Sequence, residues 1–158
     1  MLVFDASSTL YAWDNYPIHQ FPRLWDWLGQ LVSRREIAFA AVAYLEIHYK
    51  APDCSAWLEQ EKAYTIDVTN AIAQAALAIQ RVLGIAHDDY GSGVDENDIF
   101  VIATAKTHKC SLVSDEAVQA LPPKNKKKYK IPLVCSMPEV GVSCMNFVSF
   151  LKQSGAVF

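Results

Sequence analysis

Several carboxylates stand where an acid is either costly or useful. Asp5 ends the apolar run Leu2-Val3-Phe4, and Asp115 and Glu116 end the run Ser111-Leu112-Val113-Ser114. Asp98 opens the apolar stretch Ile99-Phe100-Val101-Ile102-Ala103, with Asp95 just before it, and Glu46 is the one acid within the apolar stretch 42–47. A carboxylate held in low dielectric is destabilising unless it is paired, protonated or bound to a cation. Acids brought together repel one another, and a divalent ion removes that repulsion. All-oxygen donors favour Mg²⁺ or Mn²⁺ over zinc. Each acid also has a plainer reading. Asp95 or Asp98 can cap a helix or complement its dipole. Glu46 can face solvent, Asp5 can end a strand in a turn, and Asp115-Glu116 can open a helix.

The elements decide whether these acids meet. Apolar runs predict strands at 2–4, 37–40, 64–68, 111–114 and 142–145. Phe21, Leu24, Trp25, Leu28, Leu31 and Val32 fall on one helix face, with Trp27 at its edge. Helices are expected at 42–49, ended by Pro52, and at 56–62. Another follows Thr69 as its cap, with Ile72, Ala76, Ile79 and Leu83 spaced along one face and Gly84 as its stop. The helix 98–108 has little polar face and should be central, with Asp95 or Asn97 as cap; 147–153 closes the chain as a helix. Segments 87–93 and 124–130 read as loops. Strands alternating with helices predict a three-layer α/β/α domain around a parallel sheet of about five strands, spanning 1–158. In such sheets sites gather beyond the carboxyl ends of the strands, where Asp5, Asp115 and Glu116 fall.

Composition narrows the class. With 52% hydrophobic and 20% charged residues, the 158-residue chain is too apolar to be disordered and long enough for a sizeable core. No run approaches the ~18–20 apolar residues of a membrane span. The start, reaching an acid at Asp5 without a basic segment, does not read as a signal peptide. Cys54, Cys110, Cys135 and Cys144 lack CxxC spacing and read as reduced thiols in the core of a cytoplasmic protein. The net charge of −3 is uneven: Lys124, Lys126, Lys127, Lys128 and Lys130 supply five of 14 basic residues, leaving nine against 17 acids elsewhere. An acidic body with one basic segment excludes a DNA-coating protein but admits a local phosphate contact. The segment can equally be a solvated loop or a cover for an acidic partner. There is no GxSxG, P-loop, GxGxxG or HExxH motif, and Gly91-Ser-Gly93 is an isolated pair.

Together the motifs resemble those of a family. Asp5-Ala6-Ser7 resembles the Asp-x-Asn/Ser opening of PIN-domain nucleases. Asp98-Ile-Phe-Val-Ile-Ala-Thr-Ala105 resembles their Asp-x-x-x-x-Ala-x-Ala helix, and Cys110-Ser-Leu-Val-Ser-Asp-Glu116 resembles their strand ending in Thr-x-Asp. The segment Phe21-Pro-x-x-Trp25-x-Trp27, with Lys130-Ile-Pro-Leu-Val-Cys135 and Gly141-Val-Ser-Cys144, is similar to a bacterial subgroup of VapC-like toxins.

The resemblance implies a Mg²⁺- or Mn²⁺-dependent endoribonuclease, the toxin of a toxin–antitoxin pair, leaving a 5′-phosphate and a 3′-hydroxyl. It implies Asp5, Glu46 and Asp98 as metal-binding acids. Glu116 is the fourth, with Asp115 its neighbouring substitute and Asp95 a displaced candidate for the third. Ser7 and Ser114 are expected as supporting polar partners. The lysines at 124, 126, 127, 128 and 130 become an RNA-backbone contact. Partners implied are RNA, an antitoxin and a second copy of the chain, without a membrane. Trp25 is expected in the core and Trp27 at its rim, where it can contact a partner. Competing expectations are a non-catalytic PIN-like RNA- or protein-binding module and a PIN nuclease acting on DNA.

Overall fold

A computed structural model describes residues 1–158. Five strands form one sheet: β1 (Leu2–Phe4), β2 (Ile37–Ala40), β3 (Tyr64–Ile66), β4 (Ser111–Val113) and β5 (Cys144–Met145). All pairs are parallel and the order is β3-β2-β1-β4-β5. Val3 lies opposite Ala38 and Leu112, and Phe4 opposite Phe39 and Val113. The chain builds outward from β1 in one direction through β2 and β3, then in the other through β4 and β5. The crevice between β1 and β4 is therefore the topological switch point.

Eight α-helices surround the sheet: α1 (Ala6–Asn15), α2 (Pro22–Ser33), α3 (Ala41–Lys50), α4 (Pro52–Gln60), α5 (Asn70–Leu83), α6 (Glu96–Thr107), α7 (Ile131–Ser136) and α8 (Phe147–Ser154). Side chains alternate across each strand. Phe4, Ile37 and Phe39 meet Trp25, Leu28, Trp57, Leu58 and Phe147 around a small apolar void. The opposite face, with Val3 and Ala38, leaves room for α6, which packs on β1, β2, α3 and α5. As expected from its composition, α6 buries Ile99, Val101, Ile102, Ala103, Thr104 and Ala105. Thr69 caps α5 through its hydroxyl, and Gly84 takes the left-handed conformation that stops it.

Two helices have no counterpart in the sequence-based expectation. The buried face of α1 consists of Ala6, Ser8, Thr9 and Ala12. These small and hydroxyl side chains make no hydrophobic stripe, so periodicity gives no signal. Ser8 donates its hydroxyl to the carbonyls of Asp5 and Val113, each 2.9 Å away, and so fits a buried position. The six-residue α7 is too short for periodicity, with a proline in its first turn. Helix α4 also starts earlier than expected, at Pro52, whose fixed φ suits a first turn.

Trp25 is buried, donating its indole N–H to the Tyr16 carbonyl, 2.6 Å away. Trp27 is half-buried, stacked on Phe150 with Phe158 at its edge. All four cysteines are free thiols; Cys54 and Cys135 are buried, Cys110 and Cys144 partly so. Burial pushes the Cys54 thiol up to about 12, which makes it unreactive. No helix is long and apolar enough to cross a membrane.

Candidate active site at the carboxyl edge of the sheet

Asp5 leaves β1 and caps α1, accepting the Ser7 amide at 3.3 Å. Its Oδ2 also accepts the Ser7 hydroxyl and the Ser114 hydroxyl, the latter at 3.0 Å. Ser7 in turn accepts the amide of Asp115 at 3.0 Å, and Ser114 that of Glu116 at 3.3 Å. The two serines thus tie the end of β1 to the end of β4 across the switch point. Asp5 is 4% exposed and Ser114 1%. Burial pushes the Asp5 carboxyl above its ordinary range against the opposing serine bonds, and the charge of Glu46 adds to the rise.

Asp98 enters from α6. Asp95, not Asn97, caps that helix in a reciprocal pair: the Asp98 amide donates to Asp95 Oδ1 and the Asp95 amide to Asp98 Oδ2, both at 2.9 Å. The capping reading of Asp98 holds: one oxygen completes the cap, and the other is left outside it. Burial raises its pKa to about 8; the bond from Asp95 opposes this, while the charges of Asp95, Glu116 and Asp5 reinforce it.

Asp115 and Glu116 diverge. Asp115 accepts the Phe147 amide at 3.0 Å at the start of α8. Burial raises its pKa and, among the acids, Asp5 is the one it senses. Glu116 accepts the Ile131 amide at 3.0 Å at the start of α7. Burial raises its pKa too, with Lys130 lowering it and Asp5 and Asp95 raising it. Glu116 is thus the acid of the pair that feels the charges of both Asp5 and the α6 terminus.

Glu46 differs from the expectation drawn from sequence. It is not an isolated acid in an apolar helix: it is about one-third exposed and paired with Lys50 one turn on, at 2.5 Å. It still belongs to the electrostatic surroundings of Asp5. The i, i+4 acid–base spacing is the sequence signal for this pair.

The acids share one field but do not form a closed cage: no three carboxylates converge tightly enough to hold an ion as the side chains stand. Their chemistry nonetheless fits a hard divalent cation. Asp5, Asp98 and Glu116 are all-oxygen donors. Each keeps one carboxylate oxygen outside its protein hydrogen bonds, Oδ1 in the aspartates and Oε1 in Glu116.

The lysine segment is not a free loop. Lys126–Lys128 form a short 3-10 turn, and Lys127 pairs with Asp89. The amides of Gly93 and Val94 donate to the carbonyls of Lys127 and Tyr129 at 3.0 and 2.8 Å. The Gln119 side chain brackets the same segment, donating to the Lys128 carbonyl at 2.9 Å and accepting the Lys130 amide at 2.7 Å. The segment is strung between the start of α6 and the chain after β4, beside Asp95 and Glu116. Lys124, Lys126 and Lys128 are exposed; Lys127 and Lys130 are half-buried.

The isolated Gly91-Ser-Gly93 pair has its role here, and Gln119 gave no sequence signal at all. A Cβ on Gly93 would lie 2.6 Å from the Lys127 carbonyl oxygen and 2.7 Å from the Lys128 carbonyl carbon. Gly93→Ala should therefore cost about 1–3 kcal/mol. For a chain of this size Tm falls by about 2–4 °C per kcal/mol. An unchanged thermal melt would show that the strap yields freely.

No curated protein matches the chain. Among solved structures, it is similar to a chain in the crystal structure of VapBC2 from Rickettsia felis bound to a DNA fragment from their promoter. The identity is 15%, the TM-score 0.56, and the match covers 92% of this chain and 97% of that chain. At that identity the likeness speaks to the fold, which is the three-layer, PIN-like arrangement with an all-parallel sheet. Residues 2–158 match the family described as Domain of unknown function (DUF4411), to which the chain therefore belongs.

Proposed function

We propose that this protein is a Mg²⁺- or Mn²⁺-dependent endoribonuclease and acts as the toxin of a toxin–antitoxin pair. One observation carries the reading: a buried carboxylate, Asp5, at the β1–β4 switch point shares its field with Asp98, Glu116, Asp115 and Glu46. Gathering half-buried acids around a buried one is unfavourable, and cation binding is the function that makes sense of it. Asp5, Asp98 and Glu116 would hold the ion, with Glu46 and Asp115 at its margin. A bound divalent ion supplies a water of lowered pKa and charge stabilisation at the departing oxygen. Ser7 and Ser114 fix the Asp5 carboxylate, and the Asp95 cap fixes Asp98. The PIN-like fold and the similarity to a VapBC2 chain favour the toxin role and a protein antitoxin as partner. The half-buried Trp27, beside Phe150 and Phe158, is a suitable contact for that partner or for a second copy. Acting on cellular RNA beside a protein antitoxin would place the protein in the cytoplasm.

Incubation with single-stranded RNA, structured RNA and DNA, with Mg²⁺, Mn²⁺ or chelator, tests the activity. RNA cleavage that chelator stops is the expected result. Cleavage of DNA alone would make it a DNA nuclease, and binding without cleavage a recognition module. Co-purification with the product of a neighbouring small gene tests the toxin role. The fourth acid is resolved by Glu116→Gln, expected to lower cleavage about 10²-fold, against Asp115→Asn, expected to lower it less than about tenfold. The reverse order would assign Asp115 instead.

The lysine strap is the proposed backbone contact. Replacing Lys126, Lys127 and Lys128 by alanine should raise KM and flatten the salt dependence of binding, by roughly one counterion for each phosphate no longer neutralised. At saturating RNA, kcat should stay nearly constant, because no acid is touched. Unchanged affinity at both low and high salt would assign the strap to another partner.

A further inference from the structure

A second feature adjoins the acids where the strap ends. An open cleft of about 480 Å³ runs from Ser114, Asp115 and Glu116 past Val118 and Pro132 to one side of α8. Its far wall carries Ser149 and Gln153. The Ser149 hydroxyl and the Gln153 amide make no hydrogen bond within the protein, although the Ser149 backbone amide is used to cap α8. Val118, at the mouth, is 78% exposed, and Pro132 and Met145 add apolar surface. The volume lies within the ~300–1,000 Å³ of small-ligand clefts.

The lining identifies the kind of occupant. No lysine or arginine lines the cleft, while two carboxylates do. A phosphate would meet those charges without a cation to offset them. The cleft suits a neutral, flat group with hydrogen-bonding edges. The lysine strap, by contrast, ends at Lys130, two residues before Pro132 in the cleft wall. A nucleic-acid strand whose phosphates follow the strap past Glu116 has an adjacent base positioned at the cleft. Single-stranded RNA is read in this way, by splayed bases bonded along their edges.

We infer that the cleft bounded by Asp115, Glu116, Ser149 and Gln153 is a nucleobase-binding subsite for the RNA substrate, favouring a base with an exocyclic amine; this rests on the ribonuclease reading above. Ionised carboxylates accept hydrogen bonds and do not donate them. The cytosine amine satisfies one of them, whereas the uracil carbonyl at that position faces it acceptor to acceptor. Ser149 and Gln153 bond the rest of the base edge and hold the amine against the carboxylate, so uracil, repelled at that position, draws little binding from them.

Fluorescence anisotropy with labelled C8 and U8 RNA, on the full chain with chelator present, tests this. These two pyrimidines differ chiefly at the amine-for-carbonyl position. C8 is expected to bind about five- to tenfold more tightly than U8. In the Ser149→Ala/Gln153→Ala double variant the ratio should fall below about twofold, with the U8 affinity and the thermal melt retained. Equal affinities in the unaltered chain, or a preference that survives in the variant, would overturn the subsite while leaving the ribonuclease reading standing. A neutral protein segment as the natural occupant would give that same result. Failure of both octamers to bind would instead remove the RNA reading itself, and the subsite with it.

Discussion

Replacing Asp5 or Asp98 by asparagine is expected to lower metal-dependent RNA cleavage by about 10³-fold or more with the fold intact. Asparagine keeps the shape and one acceptor oxygen, so the bonds from Ser7 and Ser114 to residue 5 can persist. It also keeps an acceptor for the Asp95 amide at residue 98. The variants lack the negative charge that a divalent ion requires. Its removal also relieves repulsion among Asp5, Asp98 and Glu116, so each variant should melt at or above the temperature of the unaltered metal-free chain. The pairing of abolished activity with retained or raised stability is the diagnostic. Activity within tenfold of the original in either variant would sink the metal assignment. A collapsed melt would show that the carboxylate is needed for folding instead.

The second large effect is a dependence of stability on pH that metal reverses. Asp5, Asp98, Asp115 and Glu116 all have folded pKa values raised from their ordinary ones, Asp98 to about 8. A raised folded pKa means that the native state binds the proton more tightly than the unfolded chain. The stabilisation is complete below the unfolded values, near 3.8 for aspartate, and is lost as pH rises through the folded values. The metal-free chain should therefore lose stability progressively as pH rises from about 4, with the loss due to Asp98 falling near 8. Mg²⁺ or Mn²⁺ should restore the melt most at high pH, where the acids are ionised, by mass action on the native state. Asp98→Asn should flatten the upper part of the profile. Thermal melts across this range, with chelator and with Mn²⁺, check all three. A metal-free melt that rises with pH would contradict the buried-acid geometry.

Much of this is legible in the amino-acid sequence. The apolar run ending at Asp5, the wholly apolar stretch behind Asp98 and the strand ending at Ser114 point to the parallel sheet and to acids at its carboxyl edge. The physical reason is local: strand and helix periods, caps and stops act over a few residues, and Thr69, Gly84 and Asp95 perform as their types dictate. Local signals fail where burial uses polar or small side chains. The Ala6, Ser8, Thr9 and Ala12 face of α1 is held by local bonds to the Asp5 carbonyl and by the bond from Ser8 to Val113, which only the neighbouring strand provides.

Tertiary structure alone decided the roles within the acid set. Asp115 and Glu116 are adjacent in sequence, yet one points to the start of α8 and the other to α7, because successive side chains leave a strand end in different directions. Glu46 acquires Lys50 as its counter-ion instead of standing isolated. The lysine segment, a charge run in sequence, becomes a strap because Gly91 and Gly93 lack the Cβ atoms that would keep its backbone away. Gln119 then bonds its far side. Composition and spacing determined which residue types could meet at this edge. Long-range hydrogen bonds, such as the one joining Ser7 and Ser114 across more than a hundred residues, determined which carboxylates share a field and which are used to cap helices.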